Sequence, residues 1–157
     1  MNKIPMTSEG YVKLQEELKK LTSEDRPNII AAIAEARGHG DLSENAEYQY
    51  AKEQQSLIEG RIADLESSIS RAEVIDIKTI TGNSIKFGAT VEIEDDDTEK
   101  KQMYQIVGEY ESDIENKKIS INSPLARGLI GKSKDDTVEI NSPKGVKSYT
   151  IISVKYI

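Results

Sequence analysis

The sequence predicts a two-part α+β protein. An antiparallel coiled-coil hairpin of two long helices should occupy residues 1–76, and a small antiparallel sheet with one short helix residues 77–157. Three observations predict it. Apolar residues in the first half recur at spacings of three and four, the period of a helix. In the second half they alternate, the period of a strand. With 31% charged and 5% aromatic residues, one Phe and no Trp, the chain suits solvent-flanked helices and a modest second core better than one large core.

The helical pattern opens at a cap signature, Thr7 or Ser8 followed by Glu9. Tyr11, Leu14, Leu18 and Leu21 form a heptad-like seam, and Ile29, Ile30, Ile33 and Ala36 resume it. Pro27 lies between the two runs. A proline removes an intrahelical hydrogen bond and crowds the preceding turn, so a kink or a restart capped by Ser23 or Asp25 is expected. Gly38-His39-Gly40 supplies a reversal. A second helix then runs from Ser43 to about Ala72, with Ala51, Leu57, Ile58, Ile62, Leu65, Ile69 and Ala72 on its apolar face. Two helices of this length joined by a short loop pack antiparallel, and 1.5 Å per residue makes the hairpin ~40 Å long.

Five segments alternate: 89–94, 103–107, 118–121, 137–140 and 149–154. Gly82-Asn83, Asp95-Asp96-Asp97 and Asn141–Gly145 punctuate them as turns. Ser123-Pro124 opens a short helix, with Ser as N-cap and Pro in the first turn.

Charge and composition exclude several functions. The net charge is −7, with 9 basic and 15 acidic residues over 1–76 against 12 and 13 over 77–157. Such a chain lacks the cationic surface that binds naked nucleic acid. With no cysteine, disulfides and thiolate zinc sites are excluded, and His39 alone cannot build a histidine-rich metal centre. Met1–Thr7 holds no apolar signal run and no later run is long enough to span a bilayer, so a cytoplasmic protein without membrane contact is expected.

The distinctive segment lies between the helices. Asp41-x-x-Glu44 reads as a capping box, in which Asp41 accepts from a backbone amide and Glu44 reaches back. It reads equally as two convergent carboxylates for a hard cation such as Mg²⁺, which would need further ligands. Leu42, apolar between two acids at an expected tip, suggests insertion into a partner. Arg37 is either a cation at a helix C-terminus or a phosphate contact, and His39 reads as a loop residue. Lys52 and Arg61 form at most a weak basic patch, and Asp95-Asp96-Asp97 reads as a solvated turn.

Gly40-Asp41-Leu42-Ser43-Glu44-Asn45-Ala46-Glu47-Tyr48 resembles the tip signature of the bacterial Gre family of transcript cleavage factors. The resemblance extends through Arg26–Arg37, Phe87–Val91 and Ile121–Lys132, and so covers nearly the whole chain. Leu42 and the run Arg127–Lys132 resemble one of the family's two branches more than the other. The resemblance implies an N-terminal coiled coil and a C-terminal FKBP-like domain, and a monomer acting on bacterial RNA polymerase. The globular domain would dock at the rim of the secondary channel, and the tip would reach the active centre. There Asp41 and Glu44 would share a Mg²⁺ with the polymerase, which would cleave the 3′ end of backtracked RNA. Arg37, Leu42, Ser43, Asn45, Glu47 and Tyr48 would support the tip or touch RNA. Asn122, Ser123, Pro124 and Leu125 would meet the polymerase.

Overall fold

The computed structural model describes residues 2–39, 45–80 and 82–157. By contact the chain forms two units: a helical unit of Tyr11–Ala72, and a sheet unit combining Lys3–Gly10 with Glu73–Ile157. The N-terminal segment therefore groups with the sheet rather than with the helices. The reason is a two-stranded sheet between β1 (Ile4–Thr7) and β2 (Ala72–Ile75), each too short to show a period in the sequence.

In the helical unit, α1 (Ser8–Lys20) continues through a π-helical turn, Leu21–Asp25, into α2 (Arg26–Arg37). The expected restart at the proline does not occur. Neither Lys20 nor Asp25 caps through its side chain, and Arg26 N–H donates to Leu21 O, five residues back. Widening the helix by one residue accommodates the Pro27 ring and its missing donor. Ser23 is no cap either, because its hydroxyl donates back to Lys19 O at 2.6 Å.

The second long helix, α3, spans Ala46–Ser70. The bonds between it and the first helices establish its direction. Arg61 makes a fork to Glu17 (2.9 and 2.7 Å), and Arg26 makes a fork to Glu59 (2.8 Å for both bonds). The partner number falls as the residue number rises, so the helices run antiparallel. Both pairs are exposed, and their bidentate geometry serves register more than stability. The Arg26 fork holds the Glu59 carboxyl below its ordinary range. Leu14, Ile33, Ala36, Ala51, Ile62 and Leu65 form the buried seam. Ser68 is buried as well, its hydroxyl satisfied by Asp64 O at 2.9 Å. Ile30 and Leu57, expected on the apolar faces, are 52% and 62% exposed and face solvent. Arg61, of the expected basic patch, is engaged by Glu17.

The sheet unit holds β3 (Thr90–Asp95), β4 (Lys101–Val107), β5 (Lys118–Ser120), β6 (Thr137–Ser142) and β7 (Gly145–Lys155), in the order β5-β4-β3-β7-β6. All pairs are antiparallel except β4–β5, which is parallel, so the expected purely antiparallel sheet is mixed. The segment between those strands, Gly108–Lys117, folds into two 3₁₀ turns and carries the chain back before β5 pairs. Alternation places Val91, Ile93, Ile106, Val138, Ile140 and Ile151 on one face. The short helix α4 (Pro124–Leu129) lies on that face through Ala126 and Leu129. Asp96 of the acidic turn accepts from the Ser148 and Thr150 hydroxyls (2.6 and 2.7 Å), which hold its carboxyl below the usual range. That tie is present above the ordinary carboxylate range and is lost as pH falls through the lowered value.

Leu65→Ala, at a fully buried seam position, should lower stability by about 2–5 kcal/mol in urea unfolding followed by helical circular dichroism. Leu57→Ala, on the solvent face, should change it by less than about 0.5 kcal/mol.

Candidate functional site

The reversal between α2 and α3 is built on one side chain. Asn45 sits in the extended conformation just before α3, and its Oδ1 accepts from Tyr48 N–H at 3.0 Å. Its backbone carbonyl takes Gln49 N–H at 3.0 Å. Its Nδ2 donates in the opposite direction, to Ala36 O at 2.6 Å. Ala36 O also accepts from His39 N–H at 3.1 Å, which closes the last turn of α2. One amide group thus satisfies an orphan donor at the start of one helix and an acceptor at the end of the other.

The N-cap of α3 is Asn45, and the helix starts at Ala46 rather than Ser43. Asn is as good a cap as Asp, and it lies directly before the periodic run. That was the available signal. Asp41, Leu42, Ser43 and Glu44 lie outside the described residues. They belong to the segment Gly40–Glu44, whose two flanks the Asn45–Ala36 bond brings together.

The other expected tip residues flank this bond. Glu47 pairs with His39, Oε2 to Nδ1, at 3.0 Å, and both side chains are largely exposed. Tyr48 contributes its backbone amide to the Asn45 cap. Arg37, in the last turn of α2, lines a groove of about 220 Å³ with Ile30, Ile33, Ala34, Lys52 and Gln55. Lys52 Nζ there donates to Gln55 Oε1 at 3.2 Å. Two cations therefore stand beside an apolar strip below the reversal.

The second expected set lies in the sheet unit. Ser123 caps α4, accepting from Ala126 N–H at 3.2 Å, and Pro124 occupies the first turn, as the Ser-Pro pair predicts. Asn122 N–H donates to Ser120 Oγ at 3.1 Å. Leu125 packs on the core and lines a cavity of about 230 Å³ with Ile93, Tyr104, Tyr149, Lys100 and Lys147. Burial and the neighbouring Tyr149 push the Tyr104 phenol above its ordinary range. The Lys117 ammonium stands 5.5 Å from the Tyr104 ring centroid.

Among the described residues, no three His, Asp or Glu side chains converge as a metal site. Among them, too, no helix is long and apolar enough to cross a membrane.

Comparison with known proteins covers both units. Residues 4–74 match the family model described as transcription elongation factor, N-terminal. Residues 80–156 match that of transcription elongation factor, GreA/GreB, C-term. Transcription elongation factor GreA of Bradyrhizobium diazoefficiens is 62% identical, covering 99% of each chain. The same factor from Phenylobacterium zucineum is 55% identical over the whole of both chains. Both belong to the branch that Leu42 and the Arg127–Lys132 run favour. The solved structure of GreA factor homolog 1 from Thermus thermophilus aligns with 98% of this chain and 99% of its own, at 26% identity and a TM-score of 0.46.

Replacing Asn45 separates its two bonds. Asn45→Ala removes both and should cost about 1–2 kcal/mol in urea unfolding. Asn45→Asp keeps the cap but sets an acceptor against the Ala36 carbonyl, and should still cost about 1 kcal/mol. An Asp variant as stable as the parent would show that the bond to Ala36 contributes nothing.

Proposed function

The chain belongs to the GreA/GreB family of transcription elongation factors, and on that premise we propose that it stimulates cleavage of backtracked RNA by RNA polymerase. It acts as an accessory and not as an enzyme by itself. What supports this reading is the family match over residues 4–74 and 80–156, together with the position in the sequence of Asp41 and Glu44, between two helices whose ends the Asn45–Ala36 bond joins. In the proposal the helical unit is a coiled coil that enters the secondary channel. The sheet unit is an FKBP-like domain that docks through Asn122–Leu125 at the channel rim.

The donor set fits Mg²⁺ in type and falls short of it in number. Carboxylate oxygens are the hard ligands that Mg²⁺ takes, and two of them leave most of an octahedron to be filled by water and another protein. Asp41 and Glu44 would hold the ion jointly with the polymerase. When bound, Mg²⁺ supplies a water of lowered pKa and neutralises charge on phosphate oxygens. The chain's own residues have separate tasks. Asn45 orients the segment that carries the acids, Leu42 gives it an apolar tip, and Arg37 and Lys52 offer cations to an RNA phosphate. A net charge of −7 fits this division, because the polymerase holds the nucleic acid.

Stalled, backtracked elongation complexes supply the test. The full chain should shorten the transcript from its 3′ end in a Mg²⁺-dependent reaction. Asp41→Asn and Glu44→Gln should each lower the rate by about 10²-fold or more while polymerase affinity stays within a few-fold. Parent-like cleavage by both variants would sink the mechanism.

A further inference from the structure

We propose that Glu111 is a positioning residue for this reaction, anchoring the root of the helix that leads toward Asp41 and Glu44. The proposal rests on the cleavage reading above.

The anchor is a single carboxylate with three donors. Glu111 Oε2 accepts from Thr7 N–H at 3.0 Å and from Gly108 N–H at 2.9 Å. Its Oε1 accepts from the Thr7 hydroxyl. Thr7 Oγ1 in turn accepts from Gly10 N–H at 3.0 Å, which caps the first turn of α1. Thr7 is 6% exposed. Hydrogen bonds to an ionised acceptor are about twice as strong as neutral ones. A negative group at a helix N-terminus also opposes the helix dipole favourably.

The backbone is shaped around this carboxylate. A Cβ built on Gly10 would run into the Glu111 carboxylate, and one built on Gly108 would run into Pro5 O. Close approach therefore requires glycine at both positions. The carboxylate thus joins residues separated by 104 positions.

The place of the anchor gives it a function. The chain passes between the sheet unit and the helical unit at Gly10–Tyr11 and again at Ala72–Glu73. Glu111 holds the part of α1 that belongs to the sheet unit, through Thr7 and Gly10. From Ser8 the helical path runs on to Arg37, roughly 45 Å at 1.5 Å per residue, so slack in its first turn is passed along its length. A misplacement of only about 1 Å in a reacting group can cost 10²-fold in rate. Freeing the root should therefore impair cleavage without touching the docking residues.

The experiment titrates the full chain onto backtracked elongation complexes and separates the maximal cleavage rate from the half-saturating concentration. Glu111→Ala should lower the maximal rate by at least about tenfold, with the half-saturating concentration unchanged within about twofold. Gly10→Ala keeps the carboxylate but pushes it aside, and should reproduce the loss. Glu111→Gln retains one acceptor oxygen and should fall between; it decides the matter if the alanine variant does not fold. Amide exchange at Thr7 and Gly10 should accelerate in step with the loss of rate, while α3 amides keep their protection. Parent-like maximal rates in the folded variants, or a change in half-saturating concentration alone, would overturn the proposal. A parent chain that stimulates no cleavage would overturn the cleavage reading, and this proposal with it.

Discussion

The helical unit depends on the two-way hydrogen bonding of Asn45. Its amide oxygen caps α3 through Tyr48 N–H, and its amide nitrogen holds the last turn of α2 through Ala36 O. The seam requires that connection. Ala36 and Ala51 are both buried, and small residues next to the reversal let the two backbones approach. A side chain amide carries its donor and acceptor on separate atoms of one rigid plane, and so serves both helix ends at once. Aspartate caps equally well, yet its carboxylate has no donor for the Ala36 carbonyl.

From that point the unit closes by registered contacts. The Arg26 and Arg61 forks bind one helix to the other, and the π-turn absorbs Pro27 without ending the helix. A continuous helical path then runs from Ser8 to Arg37. The sheet unit supplies what a thin pair of helices lacks: a core of alternating Val and Ile under α4, and a separate surface around Leu125. The proposed function divides in the same way, with Asp41 and Glu44 assigned to the metal and Asn122–Leu125 to docking. That proposal also accounts for an acidic chain acting on RNA that another protein would hold.

Much of this was legible in the sequence because periodicity is a local signal. The spacing 58, 62, 65, 69 predicts the seam, and Ser123-Pro124 predicts α4 down to its cap. Alternation locates the strands of the sheet unit but carries no information about direction, so the parallel β4–β5 pair could not be read from it. The four-residue strands β1 and β2 are too short for any period, and the Thr7–Glu111 tie joins positions that no local pattern links. Asp41-x-x-Glu44 fits the capping-box pattern and masks the equally good cap signal of Asn45 beside it. The physical cap of α3 is the residue adjacent to the helix. Leu57 and Ile30 show the limit of counting apolar residues: each fits a helical period, and each faces solvent.

The most direct test of this account is transcript cleavage by Asn45→Asp, with Asp41 and Glu44 intact. If the bridge to Ala36 O orients the acidic segment, the maximal cleavage rate should fall by about tenfold or more at an unchanged half-saturating concentration. Cleavage at the parent rate would contradict the claim that the bridge, and not the acids alone, makes the reversal a functional site.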